Sequence, residues 1–448
     1  MLQIVMAFAP LVFLILYALK TRKMADAMVL ATLLAMVLLH RQHFLTGTID
    51  AMYAALSNSS YQFALCVIIG FGGMITLFQE SGALMGFRDL LLKIASGPKR
   101  TLVLAWLMSA IMFLDEYLSA LTVTFSMREI TDKNRIPREH LALQANIIAC
   151  CLCVAVPFSS WTAFSVGLIS AHGLGFSDYV RAIPYMFYPL GMLLLCLLLA
   201  VGAFPKLGLK RAYQRVQSGG LAFERDDTME KLVDIPDVDE SCVSSAWNAI
   251  VPLAVLVGGT IAYGNDLVHG MIMAIIAQFL LYVPQKIMTV GKFFEHFFNG
   301  AKGMTTLAIV VGFGFMLSEA NRGLGLFDAL ITSIGGAVPA FLIPALAFLL
   351  VAATVFAVGS CWVVMTLAIP VFLPLAASVG LPAPVIVAAI MSGVSLGYST
   401  CFYADAVFMT TAGTGVSNIT IIKTTAPYAA VGAVAAVIGF LLCGLGIL

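Results

Sequence analysis

Apolar residues in this chain come in long runs broken by short polar stretches. "IVMAFAPLVFLILYAL", "AIPYMFYPLGMLLLCLLLAVGAF" and "AAVGAVAAVIGFLLCGLGIL" match the roughly 20 residues that cross hydrocarbon as a helix. The ten-residue alternation of a membrane β-barrel is absent, so the pattern predicts an all-α, multi-pass membrane protein. No Lys or Arg precedes the first apolar run and no small-residue cleavage site follows it, so it reads as a retained helix. The one long polar stretch, 205–245, contains "ERDDTMEKLVDIPDVDE" and reads as a solvated linker between two halves.

Composition supports this reading. The chain is 61% hydrophobic and 10% charged, whereas soluble domains carry about 25% charged residues. Of the nine cysteines, all but Cys242 sit in apolar runs, and none has metal-ligand spacing, so they read as packing residues. The net charge of +1 gives no sign of nucleic acid among the partners.

The cations are unevenly placed. All of the 24 Lys and Arg except Arg41, Arg181 and Arg322 fall in segments that can share one side of the membrane. The positive-inside rule makes that side cytoplasmic. The N-terminus then lies outside and 205–245 inside, in a bacterial inner membrane. Segments 86–100 and 128–138 share the inner side, so the apolar run 101–127 must enter the lipid bilayer and return. Within it, "FLDEYLSALTVTF" (113–125) places Asp115 and Glu116 at the tip. Carboxylates at that depth are costly and mark a functional site. Non-helical backbone there must be buried in protein or line a watery cavity.

The chain also repeats itself. "GFGGMITLFQESGALMGFRDLLLKIASG" from Gly70 aligns with "GFGFMLSEANRGLGLFDALITSIGG" from Gly312. The second copy is followed by another apolar stretch, 338–378, broken at "GSCW" (359–362) and entering from outside. Each hairpin precedes a helix with a mid-membrane interruption. The first, 138–172, breaks at "PFSSW" (157–161), where Pro157 removes a backbone donor. The second, 384–414, breaks at "GYSTCFYAD" (397–405), where Gly397 and the Ser/Thr run loosen the helix. Oppositely oriented repeats with broken helices characterise secondary transporters that bind at the midplane. The predicted division is scaffold helices at 1–60, a first inverted repeat at 61–204, and the linker at 205–245. Scaffold helices with an amphipathic segment follow at 246–302, then a second inverted repeat at 303–448.

Asp115, Glu116, Asp405 and Asn146 are the candidate cation and proton ligands, with sodium assigned to Asp115, Asn146 and Asp405. Ser119, Ser159, Ser160, Ser360, Tyr398, Ser399 and Thr400 are candidate solute contacts. The plainer alternative for the small residues is helix packing, and for Asn146 a hydrogen bond to a neighbouring helix. Trp161 and Trp362 read first as packing, and as solute lining second. A hydrolase built on Ser159 or Ser160 lacks a His or Lys base at depth, so no enzyme is expected and no cofactor.

The stretches "FLDEYLSALTVTFSMREITDKNRIPREHLA" (113–142), "PFSSW", "GSCW" and "SGVSLGYSTCFYADAVFMTTAGTG" (392–415) resemble the NhaC family of bacterial sodium/proton antiporters. The resemblance spans both halves. It implies an elevator-type transporter in which a scaffold domain forms a homodimer and a transport domain of hairpins and broken helices slides across the bilayer. It also implies cation binding by Asp115 and Asp405, with Glu116 where the family usually has a second Asp. The chain departs from the family pattern at Gly397-Tyr398-Ser399, where Gly-Asp-His is usual, at Asn146, where Asp is usual, and at Ser360-Cys361-Trp362, where a Thr is usual. Two activities stay open. In sodium/proton exchange, burial favours the protonated acid and bound sodium the ionised form, so the two ions compete for one site. In the alternative, a sodium or proton gradient drives an amino acid or small carboxylate, held by the polar groups at the breaks.

Overall fold

The computed structural model of the 448-residue chain describes all residues except 1–5, 7, 11, 15, 18–23, 84–85, 87–96, 115, 224–243, 264–265, 326–337, 360 and 403. At some helical positions, Asp405 among them, it describes the backbone alone. Every regular element among the described residues is a helix. After helical residues between 6 and 17 come α1 (Met24–His40), α2 (Phe44–Ser57) and α3 (Ser59–Glu80). Next come α4 (Pro98–Ile111), α5 (Glu116–Lys133), α6 (Arg138–Ala155), α7 (Ser160–Ser170), α8 (Phe176–Ala182) and α9 (Phe187–Val201). The middle contains α10 (Lys210–Gln217), α11 (Trp247–Ala262), α12 (Leu267–Tyr282) and α13 (Val290–Gly303). The last part holds α14 (Thr305–Gly323), α15 (Ile343–Val358), α16 (Cys361–Ser378), α17 (Ala383–Thr400), α18 (Asp405–Thr414) and α19 (Asn418–Gly444).

Five of the described helical stretches are long and apolar enough to cross a bilayer: Asp26–Ser57, Tyr61–Glu80, Arg138–Ser170, Ala383–Thr400 and Asn418–Gly444. Phe176–Tyr185 and Phe187–Val201, bent by 55°, make a sixth if taken as one span. Around them lie outward apolar side chains such as Ile272, Ile276, Leu280, Phe294 and Phe298 on α12 and α13. These are the side chains a lipid-facing surface carries.

The centre is formed by α6 and α17, which touch each other and are buried along almost their whole length. A helix surrounded on all sides by protein is a core helix whatever its hydropathy. The arms α4 and α5 pack on α6, and α15 and α16 pack on α17. The outer helices α9 and α19 each touch both central helices. The packing is also crossed: α5 lies on α18, and α16 lies on α7. Close approach depends on glycine. A Cβ on Gly393 would sit 2.5 Å from Phe348 O, and one on Gly397 would press on Ala352 O. Their i,i+4 spacing forms a small-residue groove on α17 into which the α15 backbone fits.

Three expectations need correction. The first hairpin was bounded at 101–127 by its apolar run, but its arms extend from Pro98 to Lys133. The polar end of α5 stays helical, with Asp132 held by Arg138 at 2.6 Å, so hydropathy marks only its apolar part. The second interruption does not begin at Gly397. Helix α17 runs unbroken to Thr400 and the break opens at Cys401, because contact with α15 holds Gly397 in the helix. The segment 205–245 is not all solvated linker, since residues up to Phe223 are anchored to the bundle. Arg215 holds buried Glu139 at 2.7 and 2.9 Å, Tyr213 Oη lies 2.7 Å from His140 Nδ1, and Arg138 N–H donates to Ala222 O at 3.0 Å.

His172, just beyond α7, is half-buried, and its Nε2 has no hydrogen-bond partner among the described residues. Burial, helped by the Arg322 guanidinium, lowers its pKa from 6.5 to about 4. The folded protein therefore keeps this imidazole neutral where the unfolded chain would protonate it. Its contribution to stability is complete above pH 6.5 and is lost as pH falls toward 4. His172→Asn should flatten the fall in Tm between those limits, measured by thermal unfolding across a pH series.

Candidate functional site

The interruptions at 112–114 and 156–159 meet. Ser160 N–H donates to Leu114 O at 3.1 Å, and the Cys153 thiol lies 3.6 Å from Phe113 O. The second pair of interruptions is joined in a similar way, with the Cys401 thiol 3.4 Å from Phe356 O. Gly359 ends α15 in the left-handed region at φ 74°, which gives the second hairpin its turn. Breaking a helix at depth frees backbone groups that need other partners. At the first break hydroxyls supply them. Ser159 caps α7, accepting from Thr162 N–H at 3.0 Å and donating to Cys153 O. Thr162 Oγ1 donates to Val156 O at 2.8 Å.

Glu116 is the first residue of α5 and has no solvent exposure. Its Oε2 lies 3.9 Å from Cys153 Sγ. A helix start suits a carboxylate, because the first-turn N–H groups and the helix dipole favour negative charge there. Asp405 occupies the same place on α18. The two helices are parallel neighbours. A Cβ on Gly413 would strike Thr124 Oγ1, and the Arg138 guanidinium, beyond the end of α5, donates to Thr414 O at 3.0 Å. Thr124 and Gly413 lie equally far along their helices (116 to 124, 405 to 413), so Glu116 and Asp405 begin them at one level.

Asn146 projects from buried α6 and donates to Ser399 O at 2.8 Å, linking the two central helices. Among the described residues its buried Oδ1 has no partner, and neither do the buried Ser119 and Ser160 hydroxyls or the Trp161 indole N–H. Such groups are rare and call for water, an ion or a ligand. Other predicted contacts are engaged within the protein. The Ser399 hydroxyl lies 3.2 Å from Tyr188 Oη, Thr400 donates to Leu396 O at 2.7 Å, and the Ser159 hydroxyl caps α7. Tyr398 packs edge-on against Trp161 with ring centroids 5.4 Å apart, and Trp161 meets Trp362 at 6.0 Å. A narrow cleft beside them is lined by Ser160, Phe164 and Trp362. Asp115 and Ser360 lie outside the described residues.

Sequence reading passed over Thr162 and Cys153, which complete the first break. A Thr two residues after a serine pair is a capping signal and could have pointed to Thr162. Cys153 carries no such signal, because a thiol in an apolar run reads as packing.

Interrupted, buried helices with carboxylates at their restarts define a multi-pass helical transporter. The chain belongs to the Na+/H+ antiporter family, whose model matches residues 152–445. It is 22% identical over 427 residues to an uncharacterized protein of Haemophilus influenzae, covering 86% of this chain and 79% of that one. Its fold is similar to that of MtrF from Neisseria gonorrhoeae, with a TM-score of 0.52 and 14% identity over 89% of this chain and 83% of that one. It is also similar to the YdaH transporter of Alcanivorax borkumensis, with a TM-score of 0.51 and 14% identity over 90% and 89% of the two chains.

Proposed function

We propose that this protein is a secondary transporter that exchanges sodium for protons across the bacterial cytoplasmic membrane. The observation that carries this reading is the pairing of α5 and α18, which start at one level with Glu116 and Asp405. A carboxylate there binds either a proton or a sodium ion, and each excludes the other, so competition becomes exchange. Asp115 and Asn146 complete the proposed ion site, with the Asn146 Oδ1 acceptor available to a cation. The energy comes from the ion gradients, without a cofactor.

Around this site we place two inverted repeats, 61–204 and 303–448, whose hairpins enter from opposite faces. The crossed packing of α5 on α18 and α16 on α7 supports that arrangement, because each hairpin then has the same relation to the other half. The resemblance to the family supports an elevator movement of these elements against scaffold helices in a homodimer. The N-terminus is placed outside and the 205–245 segment in the cytoplasm.

A second reading rests on a separate observation. The unpartnered Trp161 N–H and Ser160 hydroxyl lie among aromatic rings, a setting suited to an organic solute such as an amino acid or small carboxylate. MtrF is described as belonging to a class of antimetabolite efflux pumps, which gives that reading a precedent in the same fold.

Proteoliposomes with an imposed sodium gradient separate the two. Sodium or lithium alone should release protons, and the signal should weaken at low pH, where protons hold the site. If sodium alone moves no protons and one amino acid or carboxylate starts both fluxes, exchange is wrong and the organic solute is the cargo.

A further inference from the structure

At the end of the bundle where α6 begins, α10, α19 and the start of α6 enclose a cavity of about 650 Å³. Lys210, Arg211, Arg215 and Lys423 line it, and Glu139 is the one carboxylate, so the lining carries a net charge of +3 (four cations, one anion). Glu139 is already held by Arg215, which also donates to Leu221 O at 2.9 Å. No described carboxylate lies within ion-pair distance of Lys210, Arg211 or Lys423. Ser417 and Thr420 bring hydroxyls and the N-terminus of the 27-residue helix α19 to the same wall. A lone basic surface patch would be ordinary at a cytoplasmic membrane boundary. Here the charges come from separate segments, converge on one concave volume and are joined by hydroxyls and a helix start. That donor set suits a multiply charged oxyanion.

We infer that this cavity binds a phosphate-bearing anion, whose phosphoryl oxygens bridge Lys210 and Arg211 on α10 to Lys423 and the start of α19. The volume exceeds that of one phosphate and accommodates a diphosphate or the headgroup of an anionic phospholipid. Basic pockets between helices on the cytoplasmic side recognise such headgroups. Occupancy ties the chain that follows the first half to the last helix of the second. The site is separate from the acids at the breaks and does not depend on which solute is carried.

The test uses the full chain, purified in detergent, with two probes: inorganic pyrophosphate for a soluble source and cardiolipin, against phosphatidylcholine, for a lipid source. At least one should raise Tm saturably. Lys210→Ala/Arg211→Ala/Lys423→Ala should weaken that probe by about a hundredfold or more, since each charge-assisted contact removed is worth up to about one factor of ten. Arg215 and Glu139 stay in place because they anchor α10. Exposed Lys423→Ala alone gives a smaller loss in the same direction and serves if the triple variant does not fold. Lys292→Ala/Lys302→Ala, on α13 away from the cavity, should bind as wild type. Response to pyrophosphate alone assigns a soluble anion, and response to cardiolipin alone a headgroup; either supports the site. The inference is overturned if neither probe shifts Tm, if the cavity variants bind as wild type, or if the α13 control loses as much.

Discussion

Glu116→Gln should abolish sodium-driven proton release in proteoliposomes while leaving Tm nearly unchanged. Glu116 is fully buried at the start of α5. Gln matches its shape and keeps a carbonyl acceptor for the first-turn N–H groups, so packing and capping survive. The amide cannot take up and release a proton at neutral pH, so the exchange cycle has no carrier. Loss of the charged ligand should also weaken sodium binding by about 10–100-fold, from about 1.5–3 kcal/mol per charged contact. Asp405→Asn should reproduce the phenotype, because it begins the neighbouring helix at the same level. If Glu116→Gln exchanges at the wild-type rate, the coupling proton belongs to Asp115 or Asp405.

The largest effect on stability is expected at the contact between α15 and α17. Gly397→Val places side-chain atoms against Ala352 O, and Gly393→Val does the same at Phe348 O. Overpacking a core costs about 1–3 kcal/mol when side chains can shift. Here the obstacle is main chain inside a helix, so the cost lies at the top of that range or above. Both variants should show a marked drop in Tm or fail to accumulate in the membrane. Gly258→Ala on α11 is the control, since its Cβ would meet nothing within 4 Å. It should leave Tm unchanged or raise it, because Ala is the better helix former. Wild-type Tm in Gly397→Val would show that α15 and α17 do not touch as described.

The helix start at Glu116, and the interruptions near 157 and 400, were legible because hydrocarbon makes charge and broken helix conspicuous. Pro157 marked its break almost to the residue, since a missing N–H acts locally. Gly397 misled for the converse reason: a glycine either loosens a helix or admits a neighbour, and only the position of α15 decides which. The hydroxyls of Ser159, Ser160, Ser399 and Thr400 were indistinguishable in sequence. Geometry at the breaks engages three of them and leaves Ser160 without a partner among the described residues. Nor could the pairing of Glu139 with Arg215 be read, because it joins the short charged helix α10 to a buried helix start far away in the chain. The most distinctive part of the family motif contains Asp132, Arg138 and Glu139, and their contacts tie segments together at the membrane boundary.

The contact between Thr124 and Gly413 bears on how the protein is made. The ribosome must add 289 residues (413 − 124) after Thr124 before that partner exists. At about 5–20 residues per second this takes roughly 15–60 s. Throughout that interval α5 and its acid lack the helix that later packs beside them. A polar helix start cannot rest bare in hydrocarbon, so the newborn hairpin has either to wait at the interface or to be held by the insertion machinery until α18 emerges. The packing around Glu116 in the first half is therefore complete only once α18, late in the second half, has been made.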